Sequence, residues 1–202
     1  SNRIAAKMQY FMVSVIPSKL RKSGGVAIFG PDMKVGILSD THGHLHPRIP
    51  VFFRDVDEIW HAGDIGSLSV VHALQALKPL RAVYGNIDGR ELRLAFREHL
   101  VFRAGEIAVV MTHIAGYPGR YTPAACELIA REKPGLFVCG HSHILKVMYD
   151  DRNRLLHINP GAAGNYGLHR SVTAVRLEID GSEMRNLEVL DLPRSVTDQL
   201  TS

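Results

Sequence analysis

Hydrophobic residues in the first part of the chain occur in short runs typical of buried strands, separated by amphipathic segments typical of helices. The segments, in chain order, are KVGILS (strand), RIPVFFRDV (short helix), DEIWHAG (strand), SLSVVHALQALK (helix with Ser67 as its N-cap), LRAVYG (strand) and DGRELRLAFREHL (a charged loop with one helical turn). This alternation predicts consecutive strand–helix units from residue 33 onward.

The second part of the chain predicts mostly β-hairpins. LVFRAGEIAVVMTHI predicts two strands joined at residues 104–106, and TPAACELIAREK predicts a helix with Thr122 as its N-cap. The remaining strands are LFVCGHSH, the pair LKVMYD and RLLHIN, and a pair within VTAVRLEIDGSEMRNLEVLDL that turns at Asp180 and Gly181. This order predicts a mixed α/β domain with two packed sheets and outer helices, not a doubly wound parallel sheet.

The length of 202 residues and the hydrophobic content of 46% fit one domain with an extension. We assign residues 1–32 to an N-terminal extension, partly tag-derived because it begins with Ser-Asn, and residues 33–202 to the domain. Removing the five basic residues and one acidic residue of the extension from the totals of 24 and 20 leaves 19 of each in the domain. A neutral domain argues against a long nucleic acid as substrate.

Composition also bears on location. No apolar run reaches the roughly 18 residues that a membrane helix needs, so we expect no membrane association. Cys126 and Cys139 form no CxxC pair, and we predict both to be small core residues of a reduced, cytoplasmic protein. The apolar stretch YFMVSV in the extension leaves a homo-oligomer open.

Five of the apolar strands end in side chains that bind metal ions. The motifs are SDTH (Asp40 and His42), AGD (Asp64), YGNID (Asn86), MTH (His113) and CGHSH (His141 and His143). In α/β sheets, ligands bind beyond the carboxyl ends of the strands, where residues distant in sequence converge. Carboxylate, amide and imidazole donors without thiolates suit Mn, Fe, Zn, Ni or Co. Seven donors are too many for one such ion, but they suit two divalent ions that share a carboxylate, an arrangement that promotes phosphoryl transfer.

The order D-x-H, G-D, G-N-x-D, a lone His and G-H-x-H resembles the calcineurin-like metallophosphoesterase superfamily, especially its small single-domain prokaryotic phosphodiesterase branch. The similarity extends from Met33 to Leu192 and includes INPGAAG at 158–164. The resemblance implies a four-layer α/β/β/α sandwich of two mixed β-sheets flanked by helices. It also implies a dinuclear metal-dependent phosphoesterase, in the first place a phosphodiesterase, that hydrolyses a small phosphate ester by attack of a hydroxide bridging the ions.

The resemblance also implies a role for each motif residue. The first ion would be held by Asp40, His42 and His143, the second by Asn86, His113 and His141, and Asp64 would bridge them. Asp64, Asn86 and His113 would thus form the catalytic set, and Asp88 would fix the loop that presents Asn86. Manganese is the first choice of metal, with Fe, Zn, Ni or Co as alternatives.

One position departs from the family pattern. Many members have a histidine directly after the Asn of the G-N motif, where it assists the leaving group or the phosphate; this chain has Ile87. Losing a general acid costs roughly 10²–10⁴-fold in rate. We therefore expect a preference for esters with good leaving groups, or an acid supplied from elsewhere, for which His44 is a candidate.

Other polar residues near the motifs are candidates for substrate contacts. The loop IAGYPGRYTP follows His113 and offers Tyr117, Arg120 and Tyr121, although a rigid turn leading into the next helix is an equal alternative. His169 and Arg170 follow the NPGAAG turn and could reach the rim of the site. The histidines predicted to be structural or surface groups are His46, His61, His72, His99 and His157, with His99 in a charged loop.

Two classes of function remain open. The first is the phosphoesterase, with a small phosphate ester as its partner. The second is a non-catalytic protein-binding scaffold on the same fold, like the retromer subunit, in which the metal site is degraded. All seven ligand positions are filled here, which favours the hydrolase.

Overall fold

The structure, a computed structural model, describes residues 33–194. The predicted extension, residues 1–32, and residues 195–202 lie outside the described part. The strands are β1 (Met33–Leu38), β2 (Glu58–His61), β3 (Leu80–Ala82), β4 (His99–Ala104), β5 (Ile107–Thr112), β6 (Gly116–Tyr117), β7 (Arg120–Tyr121), β8 (Leu136–Val138), β9 (Leu145–Asp150), β10 (Leu155–Pro160), β11 (Ser171–Asp180) and β12 (Glu183–Pro193). The helices are α1 (Arg48–Phe52), α2 (Leu68–Leu77), α3 (Arg90–Ala95) and α4 (Pro123–Glu132).

Two five-stranded mixed sheets form the centre of the domain. The first has the order β12-β11-β1-β2-β3, in which β1, β2 and β3 are parallel and β11 runs antiparallel to β1. The second has the order β4-β5-β8-β10-β9, in which β5, β8 and β10 are parallel. Because the parallel strands of each sheet run in the same direction, the loops that follow them lie at the same edge of that sheet.

Three hydrophobic clusters define four layers. The first lies between the sheets, the second packs α1, α2 and α3 on the outer face of the first sheet, and the third packs α4 on the outer face of the second sheet. Trp60, Val109 and Ile158 lie in the cluster between the sheets. Phe53 and Leu74 belong to the second cluster of hydrophobic residues, and Leu128 and Phe137 belong to the third. The α/β/β/α sandwich expected from the resemblance is therefore confirmed.

The two predicted helix N-caps, Thr122 and Ser67, differ in the structure. Thr122 caps α4 as predicted, since its Oγ1 accepts a hydrogen bond from the Ala125 N–H at 3.3 Å. Ser67 precedes α2 in an extended conformation, but its side chain lies 2.7 Å from the Ser69 hydroxyl and makes no capping bond. The predicted position of the helix start was correct, and the capping bond at Ser67 was not found.

Three local predictions were wrong. His99 begins β4 instead of lying in a loop, because it pairs with Thr112 at the edge of the second sheet. The segment before it contains α3, a six-residue helix instead of a single turn. Cys139 is buried, but Cys126 is exposed, because α4 turns Ala125 and Ile129 toward the sheet instead.

Among residues 33–194, no helix is both long and apolar enough to cross a membrane.

Candidate metal centre

The seven predicted ligands follow the carboxyl ends of β1, β2, β3, β5 and β8, and six of them form two compact groups. Asp40, His42 and His143 form one group, which we call the first cluster. Asp64, His113 and His141 form the other, the second cluster. Within each group, one ligand atom from every residue lies within 4.8 Å of the others. Strands from both sheets therefore contribute residues to these groups.

In the first cluster, the ring nitrogens of two histidines lie close to each other and to a buried carboxylate. The Nε2 atoms of His42 and His143 are 3.1 Å apart, and Nε2 of His143 is 3.2 Å from Oδ1 of Asp40. The other carboxylate oxygen, Oδ2, accepts hydrogen bonds from the Ser39 hydroxyl at 2.6 Å and the His141 N–H at 3.1 Å. Oδ1 is buried and accepts no hydrogen bond among the described residues.

In the second cluster, a backbone carbonyl sets the tautomer of His113. Nδ1 of His113 lies 2.8 Å from the Ala62 carbonyl, which can only accept, so Nδ1 carries the proton. In the neutral ring, Nε2 then presents a lone pair. That atom lies 3.1 Å from Oδ1 of Asn86 and 3.2 Å from Oδ1 of Asp64. Asn86, the seventh predicted ligand, is thus placed beside the second cluster.

Asp64 lies between the two clusters. Its Oδ1 faces His113 in the second cluster, and its Oδ2 is 3.9 Å from Nε2 of His42 in the first. The backbone N–H of Ile87 donates to Oδ1 at 3.1 Å and holds the carboxylate in this orientation. One carboxylate thus presents an oxygen to each group of imidazoles.

The backbone is strained at the centre. Eight non-glycine residues of the described chain have a positive φ, and five of them are predicted ligands: Asp40, His42, Asp64, His141 and His143. This left-handed conformation costs roughly 1–3 kcal/mol for each non-glycine residue, and such residues concentrate at functional sites. The strain turns five side chains toward one point.

Burial and charge shift the pKa values at the centre. Burial alone would lower the pKa of His113, but the nearby Asp64 carboxylate outweighs it and raises that pKa above the ordinary value. For His42, burial prevails and lowers the pKa. Burial would raise the pKa of Asp64, but the hydrogen bond with His113 lowers it below the ordinary value. The Asp64 carboxylate therefore stabilises a positive charge on the neighbouring His113 ring.

Asp88 ties together two of the ligand loops. It is buried, and its carboxylate accepts hydrogen bonds from the backbone N–H groups of Gly85 and Gly66 at 2.7 Å and of Ile65 at 3.2 Å. These bonds join the loop that carries Asp64 to the loop that carries Asn86. This is the placement that the predicted role of Asp88 requires.

Arg93, on α3, was not identified from the sequence. Its guanidinium donates to the carbonyls of Asp88 at 2.6 Å, Asn86 at 3.0 Å and Gly85 at 3.2 Å, and it lies 4.6 Å from the centre of the Tyr84 ring. It therefore holds the Asn86 loop through three of its backbone carbonyls. No local pattern distinguishes Arg93 from the other arginines of this charged segment.

Asn159 plays a similar part at the GHSH loop. Its side-chain amide donates to the Gly140 carbonyl at 2.7 Å and to the Ser142 hydroxyl at 3.1 Å. Gly140 itself has to be glycine, because a Cβ there would overlap Ser39 Oγ and lie 2.9 Å from Oδ2 of Asp40. The INPGAAG motif, which contains Asn159, was the sequence signal for this support.

The predicted substrate contacts are not gathered at the centre as a group. His44 is exposed, two residues after His42, and Arg120 is exposed in β7. Tyr117 is partly exposed, with Nζ of Lys146 4.2 Å from its ring centre. Tyr121 packs in the cluster under α4, where its hydroxyl lies 3.3 Å from Nδ1 of His157 and burial raises its pKa. The contacts of Tyr121 thus place it in the core.

Two rings lie close to the first cluster. The His169 ring centre is 5.2 Å from that of His143. The Tyr166 ring centre is 5.2 Å from that of His42, a contact that the sequence did not indicate. His61, predicted to be a hydrogen-bonded core residue, is buried with Nε2 2.9 Å from Thr41 Oγ1.

The donor set fits divalent cations. The buried Oδ1 of Asp40 accepts no hydrogen bond among the described residues, and Nε2 of His113 faces two side-chain oxygens. An ion at each cluster would satisfy these atoms, and the oxygen and nitrogen donors are those preferred by Mn, Fe, Zn, Ni and Co. The chain thus presents candidate metal-binding clusters.

Comparison with known proteins defines the class. A family model described as the calcineurin-like phosphoesterase superfamily domain matches residues 33–182. The chain therefore belongs to the calcineurin-like phosphoesterase superfamily. A probable metallophosphoesterase from Methanocaldococcus jannaschii is 33% identical over 143 residues, which cover 67% of this chain and 70% of that protein.

Solved structures share the fold. The structure of an archaeal phosphodiesterase has 27% sequence identity and a TM-score of 0.63, covering 79% of this chain and 100% of that one. Wild-type Vps29 from Entamoeba histolytica, complexed with Zn²⁺, has 18% identity and a TM-score of 0.61, covering 79% of this chain and 99% of that one. At this identity, the likeness to Vps29 concerns the fold alone.

Proposed function

We propose that this protein is a two-metal phosphodiesterase that hydrolyses a small phosphate ester. The observation that carries the proposal is the position of Asp64, which presents one oxygen to the imidazoles of each cluster. A carboxylate with one oxygen toward each cluster suits a pair of ions about 3.5–4 Å apart. The likeness to an archaeal phosphodiesterase supports the diester over the monoester.

The roles of the residues follow from their contacts. Asp40, His42 and His143 would hold one ion, Asn86, His113 and His141 the other, and Asp64 both. Bound ions would lower the pKa of a water between them and neutralise charge on the phosphoryl oxygens. Asp88 and the Ala62 carbonyl keep the donors oriented before substrate arrives.

Ile87 affects the leaving group. Its N–H donates to Asp64, but its exposed side chain offers no proton. Unless His44 supplies one, turnover should depend on leaving groups that depart as stable anions. We propose manganese as the metal of first choice; a cytoplasmic location and a homo-oligomer stay predictions.

A protein-binding scaffold is the second candidate. Three ligands are directly followed by isoleucines that remain exposed: Ile87 at 47%, Ile114 at 43% and Ile144 at 62%. Exposed apolar side chains around a site are also typical of protein-binding surfaces. The complete set of seven ligand residues argues for the hydrolase, because a scaffold does not need Asp64 between two metal-ready clusters.

Turnover and metal binding test the proposal together. The protein is freed of metal, reloaded with Mn²⁺ and assayed on bis(p-nitrophenyl) phosphate beside p-nitrophenyl phosphate, while calorimetry counts the ions bound. We expect two ions and faster turnover of the diester. Asp64→Asn and His113→Ala should abolish turnover, whereas His72→Ala, on the exposed face of α2, should not.

Three results would contradict the proposal or a part of it. Binding of a single ion would exclude the two-metal centre. No turnover with Mn²⁺, Ni²⁺, Co²⁺ or Zn²⁺ in a protein that is folded and binds two ions would favour the scaffold. Equal or faster turnover of the monoester would keep the hydrolase and reject the diesterase.

A further inference from the structure

We propose that a cleft between α3 and α4, beside the second cluster, binds the alcohol portion of the ester, and that this portion is an uncharged, hydroxyl-bearing group the size of a sugar or nucleoside. The inference rests on the proposed function and names its substrate class. It follows from the position, size and charge of the cleft.

The cleft begins at the candidate centre. Asn86 and His113 form part of one wall, and the exposed Ala124 and Glu127 of α4 form part of another. Ile114, which follows His113, also lines it. A phosphate held at the second cluster would therefore have one ester oxygen near the mouth of the cleft.

The size of the cleft excludes very small and very large groups. Its volume is about 420 Å³, within the range of roughly 300–1,000 Å³ typical of small-molecule pockets. A methyl ester would leave most of that space to water, and a polymer would extend beyond it. A single sugar or nucleoside matches it.

The charged side chains that line the cleft restrict which kind of alcohol portion it can bind. Two arginines and two glutamates, Arg93, Arg131, Glu98 and Glu127, line the cleft. Both arginines already donate within the chain, Arg93 to three carbonyls and Arg131 to Glu132 at 2.6 Å. The two positive and two negative charges cancel, so the lining offers no net attraction to a second phosphate, and a purely apolar group would desolvate charged side chains without replacing their hydrogen bonds.

Uncharged hydroxyl groups satisfy these conditions. They can donate to the carboxylates of Glu98 and Glu127 and can accept from or donate to His99, which also lines the cleft. Hydrogen bonds to charged groups are stronger than those between neutral groups. Glu127 and His99 would therefore determine specificity without taking part in the chemical step.

Binding to the Mn²⁺-loaded full chain tests this inference without requiring turnover. Calorimetry compares ribose 5-phosphate, which carries hydroxyl groups, with n-butyl phosphate, which carries none. We expect ribose 5-phosphate to bind about tenfold more tightly, the value of one hydrogen bond to a charged group. Ala124→Trp, which fills the cleft, should remove this preference.

A matched control is available on the same helix. Ala130 is also exposed on α4 but lines a different cleft, with Tyr121 and Asp150, so Ala130→Trp should leave the preference unchanged. Glu127→Gln should reduce it and leave binding of n-butyl phosphate intact. Equal binding of the two phosphates by the wild type, or an equal loss in both tryptophan variants, would overturn the inference.

Failure of the inference and failure of the proposed function have different signatures. If the protein binds two ions and hydrolyses bis(p-nitrophenyl) phosphate but shows no preference for ribose 5-phosphate, the cleft inference alone is wrong. If it binds two ions and prefers ribose 5-phosphate but hydrolyses no ester, the cleft is a binding site and the proposed catalysis is wrong.

Discussion

The two clusters of the candidate centre are held in place by different means. In the first, Asp40 lies where the Gly140 backbone approaches so closely that a Cβ would overlap Ser39 Oγ. In the second, His113 is oriented by the Ala62 carbonyl, and the Asn86 loop is held by hydrogen bonds to Asp88 and Arg93. Steric fit at Gly140 is thus one support of the first cluster, and hydrogen bonds from residues remote in sequence are the support of the Asn86 loop beside the second.

The two kinds of support are disrupted by different kinds of substitution. A close-packed support fails when volume is added, because neighbouring backbone cannot move aside cheaply. A hydrogen-bonded support fails when a donor or acceptor is removed, because the freed loop no longer holds its ligand in one orientation. Substitutions of the two kinds should therefore affect the two ions separately.

The largest expected effect is that of Gly140→Ala. The added methyl group should destabilise the fold by about 1–3 kcal/mol and displace Asp40, so that the first ion is lost. Urea unfolding and calorimetric metal titration measure the two effects. Gly89→Ala is the control, because a Cβ at Gly89 meets nothing within 4 Å and its φ is −74°. Wild-type stability with two unaltered ions in Gly140→Ala would refute the steric account.

The next effect is selective loss of the second ion in Arg93→Ala. Removing the guanidinium frees the Asn86 carbonyl and its loop, so we expect one binding step to weaken by roughly 10–100-fold while the other stays unchanged. Calorimetric titration with Mn²⁺ resolves the two steps. Arg90→Ala, an exposed arginine on the same helix, should alter neither step. Equal weakening of both steps by Arg93→Ala would indicate general loosening instead of selective support.

An effect confined to acidic pH concerns two buried histidines, His61 and His157. Burial lowers the pKa of His61 and of His157 to about 4, so both are neutral in the folded protein. The unfolded chain takes up protons as the pH falls through about 6.5, and the free energy of unfolding should therefore decrease between about pH 6.5 and 4. The expected slope is up to about 1.4 kcal/mol per pH unit for each histidine.

Urea unfolding of the metal-free protein at about pH 7.5 and about pH 5 measures this slope. His157→Gln should flatten it by removing one of the two buried imidazoles, whereas His72→Gln, exposed on α2, should leave it unchanged. An identical slope in His157→Gln and the wild type would show that other groups cause the acid sensitivity.

The kind of fold, and the residues that the structure gathers into the two clusters, could be predicted from the sequence alone. Each ligand motif ends an apolar run, and a strand end at a turn is a local property that can be read without knowing its neighbours. The Thr122 cap at α4 and the turn at Asp180 are local in the same sense. The chemical identity of the donors then restricted the ions, because carboxylate and imidazole ligands have known preferences.

The contacts between residues distant in sequence depend on the tertiary structure. That Asp64 lies between two clusters follows from the order of strands in two packed sheets, and no local pattern encodes a contact across 49 residues, such as that between Asp64 and His113. Arg93 gained its role because α3 packs beside the loop after β3, and Tyr121 was drawn into the core under α4. Short-range order is set by local propensity and periodicity, whereas long-range contacts depend on packing the whole chain at once.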